Sequence, residues 1–420
     1  MNKSILIIAA LLPAFSVTAQ TGAKATKRFV ISEFGAVADG KTVNTKAIQA
    51  TIDKCAASGG GAAVVPQGTF LSGAIFLKQG VNLYVEKDGV LKGTTNIDDY
   101  PTIHTRWEGT EEPWTSAFVN ADGVTDLEIS GGGTIDGSGE EWVRNNPYRR
   151  GPRGAGDAPG AEPDTVPPRP MQRHGRPRLI GIQNSKRVRV TGLNLHNPAV
   201  WCLFFLYSED VLAENLKITA EHNIPSSDGI DIDSCKRVHV NKVYIDDNDD
   251  CISIKSGKDA DGLRVNRPAE DILIENSHFA YGQGGVAMGS ETSGGIRNVK
   301  VRNCVFDSGN WAPIRFKSQP SRGGVVENIT YRDLKLHGTK QAFEFNLEWR
   351  MVPPIAPPAN VLPIVRNVKI INVTGDVHSV GVIHGLADSP IRDIQFENCQ
   401  ITAKKKVSSW NMRETSIWPA

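Results

Sequence analysis

Several things are scarce in this chain of 420 residues. No apolar run reaches the ~18 residues that a membrane-spanning helix needs. Charge of one sign is not in excess: 47 Lys and Arg against 46 Asp and Glu leave +1. That balance gives no electrostatic hold on a nucleic acid or an anionic membrane. A cysteine framework is also missing. The six cysteines are Cys55, Cys202, Cys235, Cys251, Cys304 and Cys399, and none forms a Cys-x-x-Cys pair. This removes the usual spacing of a zinc site, and six are too few for a disulfide scaffold in so long a chain. Buried free thiols are the expectation. Gly (41) and Pro (24) are frequent but below the level of a disordered composition.

What is present begins with an export signal. Lys3 supplies a positive start, Ile5 to Leu12 a short apolar run, and Val17-Thr18-Ala19 a small-residue cleavage site before Gln20. Residues 1–19 are therefore expected to be removed, leaving a periplasmic or secreted protein. The remainder, 20–420, reads as one domain.

A short repeat runs through most of that remainder. Its pattern is polar, apolar, any, apolar: "DLEI" at Asp126, "RVRV" at Arg187, "DVLA" at Asp210, "RVHV" at Arg237, "DILI" at Asp271. It continues with "NVKV" at Asn298, "NITY" at Asn328, "NVKI" at Asn367 and "DIQF" at Asp393. From Arg187 onward the copies begin 23 to 39 residues apart. Alternation of period two, rich in Val and Ile, marks strands rather than helices. Self-similarity at this period marks a solenoid or a propeller. The irregular turns favour the solenoid, a parallel β-helix in which each repeat is one coil. Stacked Asn, Cys or Val rungs are expected inside it. Asn303 with Cys304, and Asn398 with Cys399, occupy equivalent places.

The ends differ. Ala47, Ile48, Ile52 and Cys55 recur at helical spacing, with Asn44 or Thr45 as cap and Gly59-Gly60-Gly61 as stop. A short N-terminal helix closing the solenoid is expected. Residues 145–178 are rich in Pro, Gly and Arg and read as an inserted loop. The polar tail after Ala403 is expected to pack over the other end.

Asp228, Asp249 and Asp250 stand among these strands. The first two are 21 residues apart, close to one small coil, so they are expected to stack. Carboxylates converging on a groove suit glycoside hydrolysis: one donates a proton to the leaving oxygen, another takes one from water. Successive strand residues point to opposite faces. If Asp249 and Asp250 both face the groove, the chain must bend there. Solvated corners are the plain alternative. Calcium is another, although "DDNDD" lacks the EF-hand alternation and its Gly. Arg315 and Lys317 leave one strand face together and suit a carboxylate-bearing ligand. The stretch "TRWEGTEEPWTSAF", with Arg106, Trp107, Glu108 and Trp114, offers either a sugar-stacking rim or a block across one end of the groove. Simple packing of a loop explains these aromatics equally well.

Taken in order, these stretches resemble glycoside hydrolase family 28, the polygalacturonase-like pectin-degrading enzymes. Its N-terminal opening is met by "FGAVADGKTVNTKAIQATIDKC" and its Gly-rich strand by "GGGTIDGSGEEW". The family's Asn-Thr-Asp-Gly appears as Ser226-Ser227-Asp228-Gly229, its Asp pair as Asp249-Asp250, and its Arg-Ile-Lys as Arg315-Phe316-Lys317. Gln283 in "GQGGVAMGSE" stands where the family has His, and Trp349 where it has a downstream Tyr.

The resemblance implies an all-β, right-handed parallel β-helix and inverting hydrolysis of a galacturonate-containing pectic oligo- or polysaccharide. Asp249 would be the general acid, with Asp228 and Asp250 holding and deprotonating water. Arg315 and Lys317 would bind the uronate carboxylate, with Gln283 and Trp349 also contacting substrate. It implies neither cofactor nor metal, and the protein is expected to be a monomer. Relatives that cleave rhamnogalacturonan also lack the His, so a rhamnogalacturonan hydrolase or related side-chain glycosidase is the alternative. A uronate lyase or epimerase, and a non-catalytic carbohydrate-binding β-helix, are the rivals from other classes.

Overall fold

In the computed structural model, residues 27–144, 175–349, 361–405 and 415–417 are described. The expected export signal and most of the Pro/Gly/Arg-rich insertion lie outside them, as does most of the C-terminal tail. The chain winds into a parallel β-helix, right-handed as parallel crossovers are. One coil consists of Arg178–Gln183, Lys186–Thr191 and Asn194–His196. The next consists of Val200–Leu206, Glu209–Glu214 and Lys217–Thr219, each strand pairing in parallel with its predecessor.

The repeat seen in the sequence is one face of these coils. Val188, Val211, Val238, Ile272, Val299, Ile329, Val368 and Ile394 stand in a single register column. All are at most 2% exposed. Burying such a side chain contributes roughly 1.5–3 kcal/mol, and repetition makes the column the spine of the core. The polar residue that opens each copy has a separate cause. From Asp126 to Asp393 all nine openers adopt left-handed backbone, φ 52–60°. Asn and Asp tolerate that conformation best. It turns the chain at the coil corner.

Corner residues of neighbouring coils then bond to one another. Asn328 donates to Asn298 at 3.1 Å and Asn367 to Asn328 at 2.7 Å. This corrects one expectation. Asn303 and Asn398 do occupy equivalent rungs, but their side chains form exposed corner ladders, to Asn276 and Asn372. Only the cysteines beside them turn inward. All six cysteines are free thiols, five of them buried.

The N-terminal helix spans Thr45–Ala57 and buries Ile48, Thr51, Ile52 and Cys55 against the first coil. Asn44 holds the cap position, yet its side chain does not cap the helix. It donates to Val37, Thr42 and Leu71 carbonyls instead, stapling the entry loop. At the other end, Thr415–Ile417 adds a strand beside Ile391–Glu397. Among the described strands, one pair forms a sheet separate from the coils: an antiparallel hairpin, Thr102–Trp107 with Thr110–Thr115.

Candidate active site

The three aspartates meet where coils adjoin. Asp228 lies in the turn before Ile230–Asp233, and Asp249 in the bend before Asp250–Lys255. Ile230 pairs with Ile252, an offset of 22 that puts Asp228 opposite Asp250 rather than Asp249. Gly229 N–H donates to the Asp250 carbonyl at 3.1 Å, which fixes that register. Because Asp249 precedes the strand, strand alternation does not apply to it. The bend required by the sequence is there, and one carboxylate oxygen from each aspartate lies within 4.8 Å of the others.

The surroundings separate the three. Asp250 is 1% exposed. Burial pushes its pKa up, but Lys317 and Arg315 outweigh this and hold it below the usual carboxylate range. Lys317 Nζ bonds one oxygen and Arg315 Nη1 the other, the latter at 3.3 Å. Asp250 is thus an anion at neutral pH. With both its oxygens engaged by cations, a metal ion there would compete with Arg315 and Lys317. Asp228 is pushed the other way, well above the ordinary range, by burial and then by Asp231 and Asp249, with Lys255 opposing. Asp249 is the least buried of the trio.

Beneath Asp228 lies a charged cluster that the sequence did not announce. Lys255 Nζ stands 3.2 Å from Asp231, 3.6 Å from Glu291 and 3.8 Å from Asp228, and is also 4.1 Å from the centre of the Trp201 ring. Burial lowers the Lys255 pKa, but Glu291, Asp231 and Asp228 together raise it well above the ordinary value. One cation cannot satisfy three buried acids. Burial wins at Asp231, which is pushed up to about 7, whereas Glu291 is held below its ordinary value despite burial, chiefly by Lys255. Asp231 and Lys255 fall at alternate positions of "DGIDID" and "CISIK", which an open sheet would turn to solvent, so the strand pattern does not mark them.

The other expected residues lie around the three aspartates. Gln283 is half-buried, and its backbone N–H donates to the Asp249 carbonyl at 2.7 Å, holding the bend. Gly284 leaves room for the site: a Cβ there would come within 2.5 Å of an Asp250 oxygen and 3.0 Å of Arg315. Ser227 Oγ accepts from Asn248 N–H at 3.0 Å, so it tethers the Asp228 turn to the Asp249 bend. Trp349 reaches the site. Its ring lies 4.7 Å from the Arg315 guanidinium and 5.6 Å from Lys317 Nζ. Arg315 also donates to Glu344 at 2.8 Å, a partner not foreseen.

The hairpin lies across the N-terminal side of this groove. Arg106 is fully buried and pairs with Asp233 at 2.7 Å. Lys258 N–H donates to the Gly109 carbonyl at 2.9 Å, and Glu111 bonds Tyr207 at 2.6 Å. Trp107 stacks between Trp114, at 4.5 Å, and Trp201, at 4.8 Å. Trp201 sits one coil before Asp228: the amide of its neighbour Cys202 donates to the Asp228 carbonyl at 2.7 Å. Trp107, Trp114 and Trp201 are thus stacked on one another beside the coil before Asp228, an arrangement that fits a block across the groove and plain loop packing alike, and not an open rim.

Known proteins are similar to this chain. The family described as "Glycosyl hydrolases family 28" matches residues 164–416, and "Rhamnogalacturonase A/epimerase, pectate lyase-like" matches residues 29–138. A probable polygalacturonase of Vitis vinifera is 27% identical over 391 residues, covering 90% of this chain and 75% of that one. An exo-poly-alpha-D-galacturonosidase of Dickeya chrysanthemi is 28% identical over 349 residues, covering 76% of this chain and 57% of its own length. The structure of a hyperthermoactive exopolygalacturonase from Thermotoga maritima superimposes with a TM-score of 0.76 at 29% identity, over 90% of this chain and 88% of that one. With the family pattern spanning more than half of the sequence and every aspartate of the cluster inside it, this chain belongs to the glycosyl hydrolases of family 28 and is a glycosidase.

Proposed function

We propose that this protein hydrolyses galacturonate-containing pectic chains from one end, releasing monogalacturonate with inversion. The observation that carries the reading is the divided set of carboxylates beside two cations. Asp250, kept ionised by Lys317 and Arg315, takes the proton of a water that Asp228 helps to hold. Asp249, the most accessible of the three, gives its proton to the glycosidic oxygen. The new bond joins the water oxygen to the anomeric carbon, and the bond to the leaving sugar breaks. Arg315 and Lys317 retain donors beyond those spent on Asp250 and face a uronate carboxylate. Inversion comes from the family resemblance, since the close approach of the aspartate oxygens does not select it. The exo mode is supported by the stacked tryptophans, read as a block across the groove, and by relatives named for exo action. Export would place the enzyme with such polymers outside the cytoplasm.

Rhamnogalacturonan is the second substrate to weigh, favoured by Gln283 and by the N-terminal family match. The test is incubation with polygalacturonate and with rhamnogalacturonan, with and without chelator, resolving the products. Monogalacturonate from the former alone, unaffected by chelator and without near-ultraviolet absorbance, is expected. An unsaturated product would convert the reading to a lyase. Proton NMR of the first-formed anomer decides the stereochemistry. Asp249→Asn should lower kcat by roughly 10²–10⁴-fold while sparing the fold, and near-normal turnover would remove Asp249 from the acid role.

A further inference from the structure

The acid, the base and the side proposed as blocked leave one direction for the rest of a bound chain, toward the C-terminal coils. Trp311 stands there. It is 44% exposed, although its neighbours Asn310 and Ala312 are completely buried. The register fixes its place. Gly282 pairs with Asn310 and Gly284 with Ala312, so Trp311 lies beside Gln283. Asp250 pairs with Gly284, so Gln283 lies beside Asp249. Asp249, Gln283 and Trp311 thus form a row across successive coils. Coils stack about 4.8 Å apart, which puts the Trp311 backbone about 10 Å from that of Asp249.

Trp311 also precedes Arg315 and Lys317 on the same strand, Ile296–Lys317. Trp311 presents an open indole in line with Asp249 and Gln283. The C–H face of a pyranose is a fitting cover, and an aromatic ring binds it without regard to the sugar's charge. The opposite end of the groove has its own tryptophans, but those are consumed by stacking on each other.

We propose that Trp311 is the stacking platform for a sugar beyond the scissile bond, on the open side of the groove. It rests on the reading of this protein as a hydrolase of pectic chains. Trp311 takes no part in bond cleavage. It makes the enzyme favour longer chains over the shortest cleavable one.

The test compares wild type, Trp311→Ala and Trp311→Phe on di-, tri- and hexagalacturonate. In Trp311→Ala the ratio of kcat/KM on the hexamer to that on the dimer should fall roughly tenfold, through KM, and Trp311→Phe should restore most of it. An unchanged ratio overturns the platform while leaving the hydrolase reading intact. If wild type cleaves no galacturonide, the hydrolase reading fails. The platform is then judged by fluorescence titration with the same oligomers. Length-dependent affinity that Trp311→Ala abolishes upholds it, and equal affinities for the two proteins overturn it.

Discussion

Removing the cation from the Lys255 cluster is the sharpest test of the site's electrostatics. Lys255 lies 3.2, 3.6 and 3.8 Å from Asp231, Glu291 and Asp228. At an effective dielectric of about 20, each attraction is on the order of 4–5 kcal/mol, before the cost of burying the charges is set against it. Breaking a buried pair by deleting one partner typically costs about 3–5 kcal/mol, and Lys255→Met should fall in that range at neutral pH. The dependence on pH has a definite sign. Lys255 is held above its ordinary value. Its contribution is therefore complete below about 10.5 and does not vary between pH 4 and 8. Glu291 is held below its ordinary value. It thus stabilises the wild type above about pH 4.5, and this is lost as pH falls through the depressed value.

In the variant, Glu291 loses its main cation and keeps Arg322 and Lys317 against burial, so its pKa rises and the stability it adds as pH rises past the ordinary carboxylate value shrinks. Asp231, already at about 7 in the wild type, moves further the same way. The gap between the two proteins should therefore widen from pH 4.5 to pH 8. Guanidinium unfolding followed by circular dichroism across that range is the assay. A loss under about 1 kcal/mol, or one that does not change with pH, would refute the reasoning.

Three further outcomes are expected. Lys317→Met removes the main cation on Asp250, so the acidic limb of the kcat/KM profile should move to higher pH; a limb that stays in place would mean that Asp250 is not the titrating base. Arg106→Met leaves Asp233 buried without its partner, loosens the hairpin and should turn monomer release into a mixture of oligomer lengths, read by chromatography of early products. Phe345→Ala should cost about 3–5 kcal/mol in denaturant unfolding, because Phe345 is fully buried and stacks on Phe316 at 4.3 Å.

The coils were legible because burial repeats in register. An inward position that recurs on every turn of a solenoid must be apolar on every turn, and so "RVRV", "DILI" and "NVKI" carry the same message. The polar opener was visible too, but its cause was not. Arg187 and Arg237 hide a left-handed corner that Asn or Asp would have suggested. The aspartates were found because they interrupt an otherwise regular pattern, and Arg315 with Lys317 because two cations leave one strand face together. Lys255 and Asp231 escaped because they obey it. On an open sheet they would face solvent, whereas here Lys255 lies against the Trp201 ring and Glu291. The hairpin was not legible either, because it pairs with itself in antiparallel fashion and shares nothing with the coil repeat. Glu291 and Glu344 fall in strand ends and turns, where sequence alone does not say which coil lies nearby.

The same hairpin bears on how the molecule comes apart. Strand pairing in a solenoid joins each coil only to its neighbours, and such structures open by fraying inward from an end. Here residues 106–111 are tied to Asp233, Lys258 and Arg264, across coils that strand pairing alone leaves unconnected. A fray starting at the N-terminus must break these ties before it reaches Asp228. Hydrogen exchange should therefore show a step in protection at the hairpin instead of a smooth gradient, with the aspartates on the slow side of it.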